Sequence, residues 1–109
     1  MDITRKDQTQ PQPVPSDYFS GTAHFIHRHT APDPGHTGVV VVNFQPGART
    51  AWHPPPLGQL LVIVSGEGWV QREGVPKEAV HPGDTVWFPA GERHWNGATA
   101  TTAMTHVAV

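Results

Sequence analysis

His53, Gln59, His94 and His106 are the side chains with the means to do chemistry in this chain, and their spacing is the first thing to explain. His53 stands six residues after Gly47, Gln59 follows a proline-rich turn, and the apolar run Leu60 to Ser65 then ends at Gly66. An imidazole and a carboxamide leading into an apolar strand are costly to bury unless something polar is held between them. Downstream, His94 follows Pro89-Ala90-Gly91, and His106 lies in the closing segment Thr101 to Val109. Neutral imidazoles bind divalent ions through one ring nitrogen and also move protons, so metal chemistry and acid/base chemistry are both open. With no cysteine in the chain, a thiol nucleophile and thiolate ligands are excluded.

These side chains have to be carried on strands. Twelve prolines and eleven glycines in 109 residues punctuate the chain too often for long helices, while Val, Thr and Trp cluster between the breaks. The pattern predicts strands at Thr22–His29, Val39–Phe44, Leu60–Ser65, Trp69–Arg72, Thr85–Phe88, His94–Asn96 and Thr101–Val109, with a hairpin tip at Gly74-Val75-Pro76-Lys77. Pro54-Pro55-Pro56 removes three consecutive backbone donors, so the chain after His53 has to be an edge or an extended loop. Period-two alternation ties faces together. If His94 points into a barrel, so does Asn96; if Gln59 does, so do Leu61 and Ile63; Met104, His106 and Ala108 share one face.

Gly47, His53, Gln59 and Gly66 resemble the first sequence motif of the cupin superfamily. Gly83-Asp84-Thr85-Val86-Trp87-Phe88-Pro89-Ala90-Gly91-Glu92-Arg93-His94 resembles the second, and the two stand in the right order. The strings Pro-Gly-Ala-Arg-Thr-Ala-Trp-His, Pro-Leu-Gly-Gln, Gly-Trp-Val-Gln-Arg-Glu-Gly and Thr-Thr-Ala-Met-Thr-His are similar to the small single-barrel cupins that include bacterial manganese-dependent hydroxynitrile lyases. The resemblance runs from about Gly38 onward. It implies an all-β fold, an antiparallel double-stranded β-helix (the cupin or jelly-roll barrel), over residues 18–109, preceded by a flexible proline-rich arm over 1–17. It also implies that His53, Gln59 and His94 are metal ligands and that His106 is an active-site imidazole. Asn96 stands where a further histidine is frequent. Pro55 occupies the position of a ligand histidine and has no donor atom to offer. Relatives of that branch continue beyond the strand that ends at Val109.

The carried-over ligands are two imidazoles and an amide, with no negative charge to balance a cation. The cofactor expected is a divalent ion, with Mn²⁺, Fe²⁺, Ni²⁺ and Zn²⁺ equivalent at this level. The function expected is a lyase acting on a small molecule by cleavage or formation of a carbon–carbon bond next to an oxygen, with His106 moving a proton and Asn96 orienting. Two alternatives stand beside it. One is metal-free acid/base chemistry by the barrel histidines in an isomerase or cyclase, and the other is a ligand-binding cupin whose metal site has decayed.

A net charge of −2 and the absence of a basic block give no electrostatic case for nucleic acid or anionic membrane. No apolar run is long enough to span a bilayer, and Met1-Asp2-Ile3-Thr4-Arg5-Lys6 lacks the apolar centre of a secretory signal. The absence of cysteine fits a reducing cytoplasm. A domain this small leaves much surface unburied, so a homodimer is expected. His27 and His29, a second His-x-His, fall outside both motifs and read as surface or interface residues. Glu67 and Glu92 lie in turns and are not recruited as ligands, and Arg49 and Arg93 read as surface or rim residues. Trp52, Trp69, Trp87 and Trp95 read as barrel packing or interface.

Overall fold

A computed structural model describes all 109 residues, Met1–Val109. Eleven strands follow in chain order: β1 (Gln12–Pro13), β2 (Phe19–Ser20), β3 (Ala23–Thr30), β4 (Gly38–Phe44), β5 (Arg49–Thr50), β6 (Gln59–Gly66), β7 (Gly68–Arg72), β8 (Glu78–Val80), β9 (Thr85–Phe88), β10 (His94–Ala98) and β11 (Met104–Ala108). They form a six-stranded sheet in the order β1-β3-β4-β11-β6-β9 and a five-stranded sheet in the order β2-β5-β10-β7-β8, with every pairing antiparallel. This is the expected all-β jelly roll, with consecutive strands such as β6 and β7 placed in opposite sheets. The one helical element is a 3₁₀ turn at Lys6–Gln8, closed by the Gln8 side chain accepting the Arg5 amide at 2.7 Å. No helix is long and apolar enough to cross a membrane.

The strand boundaries follow the punctuation. Gly66 closes β6 with φ at +76°, a left-handed conformation that costs glycine nothing and other residues a strained backbone. A Cβ there would also run into the Ala103 carbonyl on the way into β11. The triple proline acts as its chemistry requires. After His53 the ladder stops, leaving an isolated bridge to His94 and a loop to Gln59. That loop is pinned where the Gly91 N–H donates to the Pro55 carbonyl at 2.7 Å, which ties the first motif to the second.

Alternation then fills the interior. Leu61 and Ile63 of β6, Val42 and Phe44 of β4, Met104 and Ala108 of β11, Val70 and Ala98 of the opposite sheet, and Phe88 of β9 form a single buried cluster. Each large aliphatic or aromatic side chain so buried contributes roughly 1.5–3 kcal/mol. β10 and β11 are the inner strands of their sheets, and these two carry the buried polar residues His94, Asn96 and His106. β10 is buried along its whole length. Its outward Trp95 lies beneath the Arg49 guanidinium at 3.6 Å and donates its indole N–H to Gln71 at 2.8 Å. Trp87 on the edge strand β9 is exposed, and Trp52 and Trp69 are half-buried.

The segment expected as an arm does not stay clear of the barrel. Gln12 and Pro13 lie along β3 opposite Phe25 and His24, and Val14 packs against the core. His29 is exposed and His27 half-buried on β3.

Candidate active site

β5, β6, β10 and β11 aim their inward residues at one cavity of about 170 Å³. Its apolar wall is Phe19, Phe25, Val40, Val42 and Phe44, and its polar wall is Thr50, His53, Gln59, Asn96 and His106. His94 lies immediately behind His53, with the two ring centroids 4.3 Å apart. Four of the five residues predicted from the sequence, His53, Gln59, Asn96 and His106, line this cavity, and the fifth, His94, packs against His53.

The two motif histidines share a tautomer. His53 Nδ1 lies 2.9 Å from the Ala51 carbonyl, and His94 Nδ1 lies 3.1 Å from the Glu92 carbonyl. A carbonyl only accepts, so Nδ1 carries the proton in each ring and Nε2 keeps its lone pair. The His94 Nε2 is buried and has no partner within the chain. Its ring is held by a parallel stack on Phe88, with centroids 3.4 Å apart. Burial pushes the His94 imidazole down to about 4; the Glu92 carbonyl opposes this and the neighbouring His53 adds to it. The His94 ring therefore presents a neutral nitrogen.

A backbone-anchored Nδ1–H with a free Nε2 is the state in which histidine binds a metal ion. The His53 imidazole lines the cavity together with the Gln59 amide, and the His94 ring lies 4.3 Å from it between centroids, so these nitrogen and oxygen donor types fit a divalent ion. Pro55, buried beside them, contributes nothing, and nowhere in the chain are three His, Asp or Glu side chains grouped to hold a metal.

His106 belongs to a different arrangement. Its Nε2 lies 3.1 Å from Asn96 Nδ2, and its Nδ1 is buried without a partner. Phe44 packs on the ring at 5.3 Å between centroids. Burial pushes this imidazole down to about 4 as well, so it is uncharged at neutral pH. Asn96 can present its NH₂ or its carbonyl oxygen to Nε2, so it supports either tautomer; when the oxygen accepts, Nδ1 is left as a lone-pair base. The ring faces inward by the plain alternation of β11, between buried Met104 and Ala108, and the pairing with β6 slips beside it, leaving Val64 of β6 unpaired.

Residues 40–109 match the family model described as the Cupin domain. The chain is a cupin. Over its full length this cupin is 50% identical to an (R)-mandelonitrile lyase from Granulicella tundricola, of which it covers 83%. It superposes on a cupin-like protein from Thermotoga maritima with a TM-score of 0.84, at 33% identity over 99% of this chain and 79% of that one. A polyketide cyclase from Streptomyces resistomycificus has the same fold, with a TM-score of 0.74 at 16% identity over 99% and 77%.

Sequence reasoning passed over two residues of the cupin's cavity. Thr50 accepts the main-chain N–H of Asn96 on its Oγ1 at 3.2 Å, which leaves its own hydroxyl proton free to donate. Tyr18 lies against His53, with ring centroids 4.8 Å apart; burial pushes its phenol up to about 12, so it too is neutral. The inward place of Thr50 was available from alternation, since Arg49 beside it faces out over Trp95. Nothing in the local sequence around Tyr18 announces a cavity residue.

Proposed function

We propose that this cupin is a lyase that breaks, and in reverse forms, the carbon–carbon bond of a small aromatic cyanohydrin. The observation that carries the reading is the division of one cavity into an apolar, largely aromatic wall and a wall of polar groups. A cavity of about 150 Å³ is known to take a benzene ring, so this one has room for a ring and a few further atoms. The 50% identity to a mandelonitrile lyase supports the same substrate class.

The reaction needs a base for the cyanohydrin hydroxyl and an acid for the departing cyanide. His106 takes the hydroxyl proton, the carbon–carbon electron pair leaves with the cyanide carbon, and the His106 imidazolium returns that same proton to the cyanide to give HCN beside the aldehyde. No electron is gained or lost overall, so no oxidant enters. Asn96 holds the imidazole while it carries the proton, and Thr50 supplies a hydroxyl donor to the substrate oxygen. A divalent ion held by Nε2 of His53, Nε2 of His94 and the Gln59 amide oxygen would polarise that same oxygen as a Lewis acid.

Pro55 favours a second reading, in which His106 and Thr50 do acid/base work on an enolisable substrate without a metal. One experiment separates the two. Mandelonitrile cleavage is followed by benzaldehyde absorbance and cyanide release, before and after chelation, with Mn²⁺, Fe²⁺, Ni²⁺ or Zn²⁺ restored and bound metal quantified. Activity that falls on chelation and returns with one ion supports the lyase with its metal; activity indifferent to chelation supports the metal-free reading. A protein that binds mandelonitrile and never cleaves it is a binding cupin, and the lyase proposal is then wrong.

A further inference from the structure

The cavity's outer wall lies outside the 40–109 segment that defines the family: Pro15, Tyr18, Phe19 and Phe25 all come from the chain before it. Tyr18 is the residue of this set at the mouth. It is 37% exposed while its ring also lines the cavity, so one edge faces water and the other faces the interior. We propose that Tyr18 contacts the substrate and sets its class, its phenol ring forming the outer face of a slot that accepts a flat aromatic ring. The inference deepens the lyase reading and rests on the same cavity being the substrate site.

The placement of Tyr18 is fixed by the site's own scaffold. The Tyr18 carbonyl accepts the Ala51 N–H at 2.7 Å, two residues before His53, and the amides of Tyr18 and Phe19 both donate to the Pro15 carbonyl at 3.2 Å. Phe19 then pairs with Thr50 in the five-stranded sheet. The strand that presents Thr50 and leads to His53 thus also holds the Tyr18 turn in register. From Tyr18 the rings continue inward. Phe19 lies edge-on at 5.3 Å, Phe19 meets Phe25 at 6.0 Å and Phe44 at 5.8 Å, and Phe44 meets His106 at 5.3 Å. These are the separations at which aromatic rings attract one another through offset and edge contacts. A planar ring entering the cavity past Tyr18 can make such contacts with these rings on its faces and edges, whereas a puckered ring of the same carbon count is thicker and loses them.

The test compares benzyl alcohol with cyclohexylmethanol, two unreactive carbinols that differ in ring planarity. Dissociation constants are measured by protein-observed NMR for the wild type, Tyr18→Phe, Tyr18→Ala and Tyr18→Leu, with circular dichroism and melting to check the fold. In the wild type benzyl alcohol binds more tightly. Tyr18→Ala weakens benzyl alcohol by about tenfold or more, the scale on which pocket shape discriminates between substrates, and it narrows the ratio of the two ligands towards one. Tyr18→Phe keeps both affinities within about threefold, and Tyr18→Leu serves in place of the alanine variant if that one does not fold. Equal benzyl alcohol affinity in wild type and Tyr18→Ala, an equal loss for both ligands, or a Tyr18→Phe loss as large as that of alanine overturns the assignment. These constants do not depend on turnover. A protein that binds benzyl alcohol as described and cleaves no cyanohydrin sinks the lyase proposal and leaves the role of Tyr18 standing.

Discussion

His53 and His94 exchange both of their main-chain hydrogen bonds, at 2.9 and 3.0 Å, although 41 positions of sequence separate them. Residues directly opposite one another in an antiparallel pair put their side chains on the same face of the sheet. The imidazoles of the two motifs are therefore neighbours because the backbone bridge makes them so. Pro54, which has no N–H, ends that bridge at once, and the chain is free to swing out to Pro55 and return at Gln59.

That geometry makes Pro55 the place to alter the metal chemistry of the barrel. The Pro55 carbonyl accepts the Gly91 N–H, and a histidine at this position keeps that carbonyl while adding an imidazole. Pro55→His is expected to tighten Mn²⁺ or Zn²⁺ binding by more than about tenfold, since even the outer partners of a ligand act on that scale. Equilibrium dialysis with metal analysis measures it. Unchanged metal content in a folded Pro55→His protein would show that side chain 55 does not reach the space between His53 and His94.

The fold was legible because its punctuation is local. Gly66, Pro54 to Pro56 and the Pro89-Ala90-Gly91 turn each act on their own backbone, and alternation put Gln59, Leu61 and Ile63 on one face and His94 and Asn96 on one face, while the cupin resemblance chose which face is the inside. What alternation cannot supply is register. The slip between Thr105 and His106 that leaves Val64 unpaired depends on how two distant strands meet. Tyr18 shows the same limit more sharply: its role comes from a turn docked on Ala51, a contact between segments that share no motif. The tautomers of His53 and His94 were hidden for a like reason, because the carbonyls that fix them come from the fold of the turns before each histidine.

Asn96 should matter to His106 through its amide and not through its volume. Asn96→Ala removes the partner of a buried imidazole nitrogen, and a group left unsatisfied in this way costs about 1–3 kcal/mol. The expected result is a fall in melting temperature together with a loss in kcat. Asn96→Leu separates the effects: it fills the space without restoring the hydrogen bond, so it should recover stability in part and leave kcat low. Recovery of both in Asn96→Leu would show that the amide only packs.

His106 and His94, both lowered to about 4 by burial, contribute together to the pH dependence of stability, and His106 is the one clear of the motif histidines. Burial puts its folded pKa at about 4, below the ordinary value near 6.5 that the unfolded chain restores. Between those values the unfolded state binds a proton that the folded state refuses. The stabilisation from keeping this ring neutral is thus complete above about pH 6.5 and is lost as the pH falls towards 4, by on the order of 3 kcal/mol. The groups packed on the ring are Phe44, Asn96 and the β4 and β6 aliphatic side chains, none of which titrates. Urea midpoints measured from pH 8 to pH 4 should show the decline, and His106→Gln should reduce it only in part, because His94 still titrates with the same sign. A His106→Gln protein with the wild-type slope would assign the proton uptake to another histidine.

Gly66 offers the most severe single change in the scaffold. Its φ of +76° is strained for any L side chain, and an added methyl group meets the Ala103 carbonyl just before β11 begins. Strain of about 1–3 kcal/mol and overpacking of similar size add here because they arise from different atoms. Gly66→Ala is therefore expected to cost about 3 kcal/mol or more, and any relief must come from shifting the start of the strand that carries His106. Stability and activity should fall together, with activity the more sensitive, since a displacement of about 1 Å can cost a hundredfold in rate. Gly74→Ala is the control: its φ of +88° strains the backbone equally, but a Cβ there meets nothing, and the hairpin tip lies far along the chain from β11. If both variants lose the same stability and neither loses kcat in the folded fraction, the close approach of Gly66 to Ala103 does not position His106.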